Sequence, residues 1–159
     1  MTAEGNTTAG QPALPSRAPG ARRCTLRAHY AALTELANWC AEMAEAYHLN
    51  TDCANAVDLC LSELVTNVID YAYAADGVSS ILVDANLYEG ALEITLWDAG
   101  PPFNPLDHAP PTSPTDLAEV RIGGLGIELV RKFTRKVAYA RVGAWNRLRF
   151  IPVGQPIDD

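Results

Sequence analysis

The chain has 159 residues, 48% of them hydrophobic, enough for one domain with a sizeable core. Twelve Lys and Arg against 19 Asp and Glu leave a net charge of −7, which argues against direct nucleic-acid binding. No apolar run approaches a membrane span and the N-terminus lacks a signal-peptide pattern, so a cytoplasmic location with no membrane contact is expected.

Residues 1–22, rich in Gly, Pro, Ala, Ser and Thr at the start, read as a disordered leader, and 23–155 as the folded domain. Ala28 to Leu49 has helical spacing of Ala32, Leu33, Leu36, Trp39, Cys40 and Met43. Asn50, Thr51 and Asp52 can cap a second helix from about Cys53 to Ala75, which Asp76-Gly77 breaks. Strands are expected at Ser80–Tyr88 and Ala91–Asp98, joined by a Glu89-Gly90 turn. Pro101 to Ile122 holds six prolines and little periodicity, and reads as a long loop fit to close over a ligand. A third helix, Gly126 to Thr134, precedes a hairpin of Val137–Arg141 and Arg147–Val153 around Gly143-Ala144. Helices first and hairpins later predict an α+β two-layer sandwich, a mostly antiparallel sheet with helices on one face.

Three segments can carry chemistry. In the second helix, Leu61, Leu64, Val65, Val68 and Ala72 form one stripe, and Glu63, Asn67 and Asp70 the opposite one. Asn is a mediocre helix former, so Asn67 beside Glu63 suggests an oxygen ligand for hydrated Mg²⁺; an incidental Asn on a solvated face is the plain alternative. In the strand ending at Asp98, Leu92, Ile94 and Leu96 point inward, and parity takes Asp98 with them. A buried carboxylate needs a partner, and a ligand amine can supply one; a turn-initiating Asp before Gly-Pro is the alternative. Gly123-Gly124-Leu125-Gly126 runs into an apolar helix, where converging N–H groups can hold an anion, or where glycines simply ease tight packing.

Other chemistries find little support. Cys24, Cys40, Cys53 and Cys60 show no metal-ligand spacing and read as reduced thiols packed mostly in helices; His29, His48 and His108 are scattered, and there is no Gly-x-Ser-x-Gly elbow. Lys and Arg are absent from His29 through Val120 and return at Arg121, Arg131, Lys132, Arg135, Lys136, Arg141, Arg147 and Arg149, either as solvated surface or to meet an acidic partner.

In this order and spacing the three segments resemble the nucleotide-binding boxes of the GHKL ATPase superfamily, in the form found in small bacterial anti-sigma-factor serine/threonine kinases. Glu63-x-x-x-Asn67 with Tyr71-Ala72-Tyr73 looks like the N box, Asp98-x-Gly100-Pro101-Pro102-Phe103-Asn104-Pro105 like the first glycine box, and Gly123-Gly124-Leu125-Gly126-Ile127 like the second. Asn146-Arg147-Leu148 resembles part of the last hairpin, and the likeness spans Thr25 to Val153. Asp70 stands where many members have His, and Thr134-Arg135 replaces a hydrophobic–acidic pair. The resemblance implies a Bergerat-type ATP-binding fold and transfer of the ATP γ-phosphoryl group to a serine or threonine of an antagonist-type partner protein. A sigma factor is a further partner, and the relatives commonly form homodimers. It assigns Glu63 as general base and Asn67 to Mg²⁺. Asp98 and Gly100 fall to the adenine, and Arg121, Gly123, Gly124, Leu125 and Gly126 to the phosphates. The competing expectation is an ATP-gated module that sequesters a sigma factor or regulator without phosphorylating it. A detached histidine-kinase half lacks a context for a phosphoacceptor His.

Overall fold

The computed structural model describes residues 12–72, 80–107 and 124–154. Among these residues nine elements follow one another: strand β1 (Arg22–Arg27), helices α1 (Ala32–Ala46) and α2 (Thr51–Ala72), strands β2 (Ser80–Tyr88) and β3 (Ala91–Asp98), a 3₁₀ turn (Pro105–Asp107), helix α3 (Gly124–Phe133), and strands β4 (Thr134–Val142) and β5 (Trp145–Pro152). The strands make one antiparallel sheet in the order β1-β2-β3-β5-β4. The α+β sandwich expected from the order of patterns is the fold observed.

Alternation dictates the two faces of the sheet. Ile81, Val83 and Ala85 of β2, Leu92, Ile94 and Leu96 of β3, and Leu148 and Phe150 of β5 are buried in one core with Leu36 and Met43 of α1, Val57, Leu61, Leu64 and Val65 of α2, and Ile127 and Val130 of α3. The β2–β3 turn takes Glu89 at φ 50° and Gly90 at φ 78°, the left-handed pair that a two-residue hairpin needs. Asn50 caps α2: its Oδ1 accepts from Cys53 N at 2.8 Å, and its Nδ2 donates to Gly154 O at 2.5 Å, tying the end of the sheet to the helix start.

Three local expectations need correction. The first helix starts at Ala32 rather than Ala28, because residues 28–31 form a bend and turn in which Ala31 N donates to His29 Nδ1. Arg22–Arg27 is an edge strand that alternation did not reveal; three of its six residues are arginines, as suits a protected edge. The third helix begins two residues early, at Gly124, and β4 begins directly at Thr134. Residues 73–79 and 108–123, including the expected helix break at Asp76-Gly77 and most of the loop over the ligand, lie outside the described residues.

The second face of the sheet is also covered. Leu82, Trp97 and Trp145 form a small buried cluster there. Asp84 is buried beside it, accepting from Arg23 Nε at 2.7 Å and Nη2 at 2.8 Å, and from Trp97 Nε1 at 3.2 Å. Of the expected leader, 1–11 lies outside the described residues; 12–21 is irregular chain running over this face, where Trp145 Nε1 donates to Ala13 O at 3.0 Å and Arg23 to Pro15 O at 2.9 Å. No helix among the described residues is long and apolar enough to cross a membrane.

Candidate functional site

A cleft opens between α2 and the inner face of β3, β5 and β4. It encloses about 430 Å³, part of it open to solvent, and is lined by Leu64, Asn67, Val68, Tyr71, Leu96, Asp98, Phe103, Pro105, Tyr139, Asn146 and Leu148. Leu64, Val68, Leu96 and Leu148 give it apolar walls; Tyr71 and Phe103 stack with ring centres 5.8 Å apart.

Asp98 is the polar centre of this cleft. Parity along β3 carries its side chain inward, as expected, to 6% exposure. Its Oδ1 accepts from Asn146 Nδ2 and from Gly100 N, each at 3.0 Å, and among the described residues both of its hydrogen bonds end on that oxygen. Burial pushes the carboxyl above its ordinary value, while the bonds from Asn146 and Gly100 and the charge of Arg141 pull it back down. Gly100 serves the site through its backbone: its N–H clamps the carboxylate, and its carbonyl accepts from Arg141 Nη1 at 2.8 Å.

Asn146 is the residue that sequence reasoning left out of the site. It is 4% exposed and stands directly opposite Asp98 in the β3–β5 register. The signal was present: an asparagine on the inward parity of a strand whose next inward positions are Leu148 and Phe150.

The polar stripe of α2 does not stand opposite the apolar one. Asn67 lies about 60° round the helix from Leu64 and lines the same cleft. Glu63, one turn earlier, faces α3: a Cβ built on Gly126 would stand 2.6 Å from Glu63 Oε2. Only a glycine leaves that carboxylate its place, so tight packing and a carboxylate at the start of α3 turn out to be one feature. Asp70 goes elsewhere, being exposed and accepting a hydrogen bond from the Tyr30 hydroxyl. Gly124 and Leu125 lie in the first turn of α3, where backbone N–H groups and the helix dipole favour an anion. Arg121 and Gly123 lie outside the described residues.

Several of the late basic residues serve the domain itself. Arg141 ties down Gly100, Arg147 lies over the Trp97 ring at 5.9 Å, Arg149 pairs with Glu93 at 2.6 Å, and Arg131 donates to Leu106 O at 2.6 Å. The four thiols are free; burial pushes Cys40 and Cys60 up to about 12, and with nearby Glu35 and Glu42 lifts Cys24 to about 11, so none of these three is a ready nucleophile.

The donor set fits an adenine nucleotide. A carboxylate with one oxygen fixed, at the polar end of an apolar cleft, suits a flat ring bearing an amine. Among the described residues no three His, Cys, Asp or Glu side chains gather as a metal cluster. Asn67 sets an amide on the cleft wall, and an amide oxygen is a donor of the kind that suits Mg²⁺, an ion that keeps waters and phosphates in most of its positions.

Sheet order, helix placement and the aspartate-ended cleft together define a GHKL-type ATPase fold. The chain belongs to the histidine kinase-like ATPase domain family, whose pattern matches residues 26–151. It is 24% identical over 90 residues to the serine/threonine-protein kinase BtrW of Bordetella bronchiseptica, covering 57% of this chain and 63% of that one. To the serine-protein kinase RsbW of Listeria monocytogenes it is 32% identical over 76 residues, 45% of this chain and 48% of that one. The chain thus spans less than two thirds of the length of these relatives. Among solved structures, the RsbU and RsbW domains of Rv1364c from Mycobacterium tuberculosis match with a TM-score of 0.60 at 15% identity, over 83% of this chain and 32% of that one. A blue-light activated histidine kinase of Erythrobacter litoralis matches with a TM-score of 0.53 at 16% identity, over 77% of this chain and 41% of that one. The two structures share the fold.

Proposed function

We propose that the chain is an ATP-dependent serine/threonine protein kinase, an anti-sigma-factor-type regulator that phosphorylates an antagonist partner protein and takes a sigma factor as a second partner. The observation that supports this most is the meeting of Glu63 with the first turn of α3, one helical turn from Asn67 and the cleft. A carboxylate beside the N-terminal turn of α3 thereby stands one helical turn from the amide of Asn67 on the cleft wall, an arrangement that suits phosphates reaching from the cleft towards α3.

Each residue has a task in that reading. Asp98 Oδ2 accepts from the adenine amine, and the leucine and valine walls exclude water from the ring. Asn67 would hold Mg²⁺, whose charge would offset that of the ATP phosphates. Backbone N–H groups from Gly123 to Gly126, with Arg121, receive the remaining phosphate oxygens. Glu63 accepts the proton of the incoming serine or threonine hydroxyl as that oxygen attacks the γ-phosphorus, whose bond to the β–γ bridging oxygen breaks to release ADP. Names of the curated relatives, serine and serine/threonine kinases, support the same assignment.

The test is Glu63→Gln in the full chain, with labelled ATP and a purified antagonist-type protein. The variant should bind ATP–Mg²⁺ and hold the partner, yet transfer phosphate about 10²–10⁴-fold more slowly. If wild type and variant both hold the partner and neither transfers phosphate, the chain is the ATP-gated binding module instead. Transfer by Glu63→Gln at the wild-type rate removes Glu63 as the base.

A further inference from the structure

Asp98 is held by a side chain whose own orientation is fixed from several directions. Asn146 Nδ2 donates to Asp98 Oδ1 at 3.0 Å and to Pro101 O at 2.9 Å, which places both amide protons. Asn146 Oδ1 receives Phe103 N at 3.2 Å, the Tyr139 hydroxyl at 2.5 Å and Arg141 Nη1 at 3.2 Å. Three donors around Oδ1 and three acceptors around Nδ2, the Gly100 carbonyl being the third at 3.5 Å, determine which end is oxygen and which is nitrogen. A flipped amide would turn its oxygen on Asp98 and its nitrogen on three donors. The polarity of Asn146 is thus enforced by Tyr139, Arg141 and the backbone of Phe103.

Resting on the nucleotide assignment above, we propose that Asn146 is a positioning residue for base selectivity. By occupying Oδ1, it makes Asp98 present Oδ2 to the cleft as a pure acceptor. A purine with an amino group at its six position is then bound, and one with a carbonyl there is turned away. Tyr139 and Arg141 act through Asn146, so the last hairpin helps to set which base the cleft takes. A role limited to satisfying buried polar groups would weaken binding of every purine nucleotide alike; a positioning role changes the ratio between two of them.

The experiment compares ATP with inosine triphosphate, which replaces that amine with a carbonyl. Calorimetric titrations of the full chain at fixed Mg²⁺ give both affinities, and thermal unfolding without nucleotide reports the fold. Wild type should prefer ATP about tenfold or more. In Asn146→Ala the aspartate can rotate or take up a water, and the preference should shrink at least about fivefold, mostly through lost ATP affinity. Tyr139→Phe, which removes one hydroxyl, should move the ratio the same way by a smaller factor, and it decides the matter if Asn146→Ala does not fold. An unchanged ratio in the folded variant, or an equal loss for both nucleotides, overturns the proposal. A wild type that binds neither nucleotide, or both equally, overturns instead the assignment of the cleft to adenine, and the positioning role with it.

Discussion

Replacing Gly126 with alanine should separate stability from chemistry. The new methyl would lie 2.6 Å from Glu63 Oε2, where ordinary contacts begin at 3.4 Å, so the carboxylate must retreat by about 0.8 Å. The obstacle is the far end of a flexible side chain; the next atoms, Glu63 Cδ and Cβ, stand at 3.5 and 3.6 Å and need not move. Folding therefore tolerates the change, and alanine in a helix gains up to about 1 kcal/mol over glycine. With Glu63 as the proposed base, phosphate transfer should suffer: misplacing a reacting group by about 1 Å can cost about 10²-fold in rate. The N–H of residue 126 is retained, so ATP affinity should stay within about threefold. Urea unfolding, ATP calorimetry and transfer from labelled ATP to the antagonist-type protein read the three quantities. A folded Gly126→Ala that transfers phosphate at the wild-type rate would refute the argument, because the carboxylate would have moved without consequence.

Asp98→Asn sets a donor against the adenine amine and should weaken ATP and ADP by about 1–3 kcal/mol, at least about tenfold by calorimetry; an unchanged affinity removes Asp98 from the site. The same residue has a pH signature. Burial raises its folded carboxyl above the ordinary 3.8, so the folded state holds that proton more tightly than the unfolded chain. Its contribution then favours folding at acid pH and declines as pH rises through the raised value. Urea unfolding from pH 3.8 to neutrality should show this slope in wild type and not in Asp98→Asn; identical pH profiles would contradict it. On the other side of the sheet, Asp84→Ala leaves the Arg23 guanidinium and Trp97 Nε1 without their acceptor and should cost about 3 kcal/mol or more in urea unfolding. A loss under about 1 kcal/mol would mean water replaces the carboxylate freely.

Much of this architecture could be read in the residues because its signals are local. The strands Ser80–Tyr88 and Ala91–Asp98 and the turn between them came from alternation and a glycine, and alternation alone turned Asp98 inward. What escaped depends on partners far along the chain. β1 is short and rich in arginine, and only its pairing with β2 makes it a strand. Asn146 acquires its role from Asp98, 48 positions away, and Glu63 from a glycine on another helix. Helical periodicity put Glu63, Asn67 and Asp70 on one stripe, yet α3, the cleft and Tyr30 receive them separately. A stripe is an average over a helix; its neighbours differ turn by turn.

The indoles sealed beneath the N-terminal segment act as a register lock for the opposite face. Strand side chains alternate, so sliding β3 by one residue against its neighbours would exchange its two faces. Trp97 would enter the cleft and fill it, while Asp98 would leave Asn146 for the aromatic side. On a sheet with one solvated face such a slip moves only polar groups into the core. Here it would also evict Trp97 from Leu82 and Trp145 and break its bond to Asp84. The face that binds nothing in this scheme thus selects, during folding, the single strand alignment in which the other face can bind.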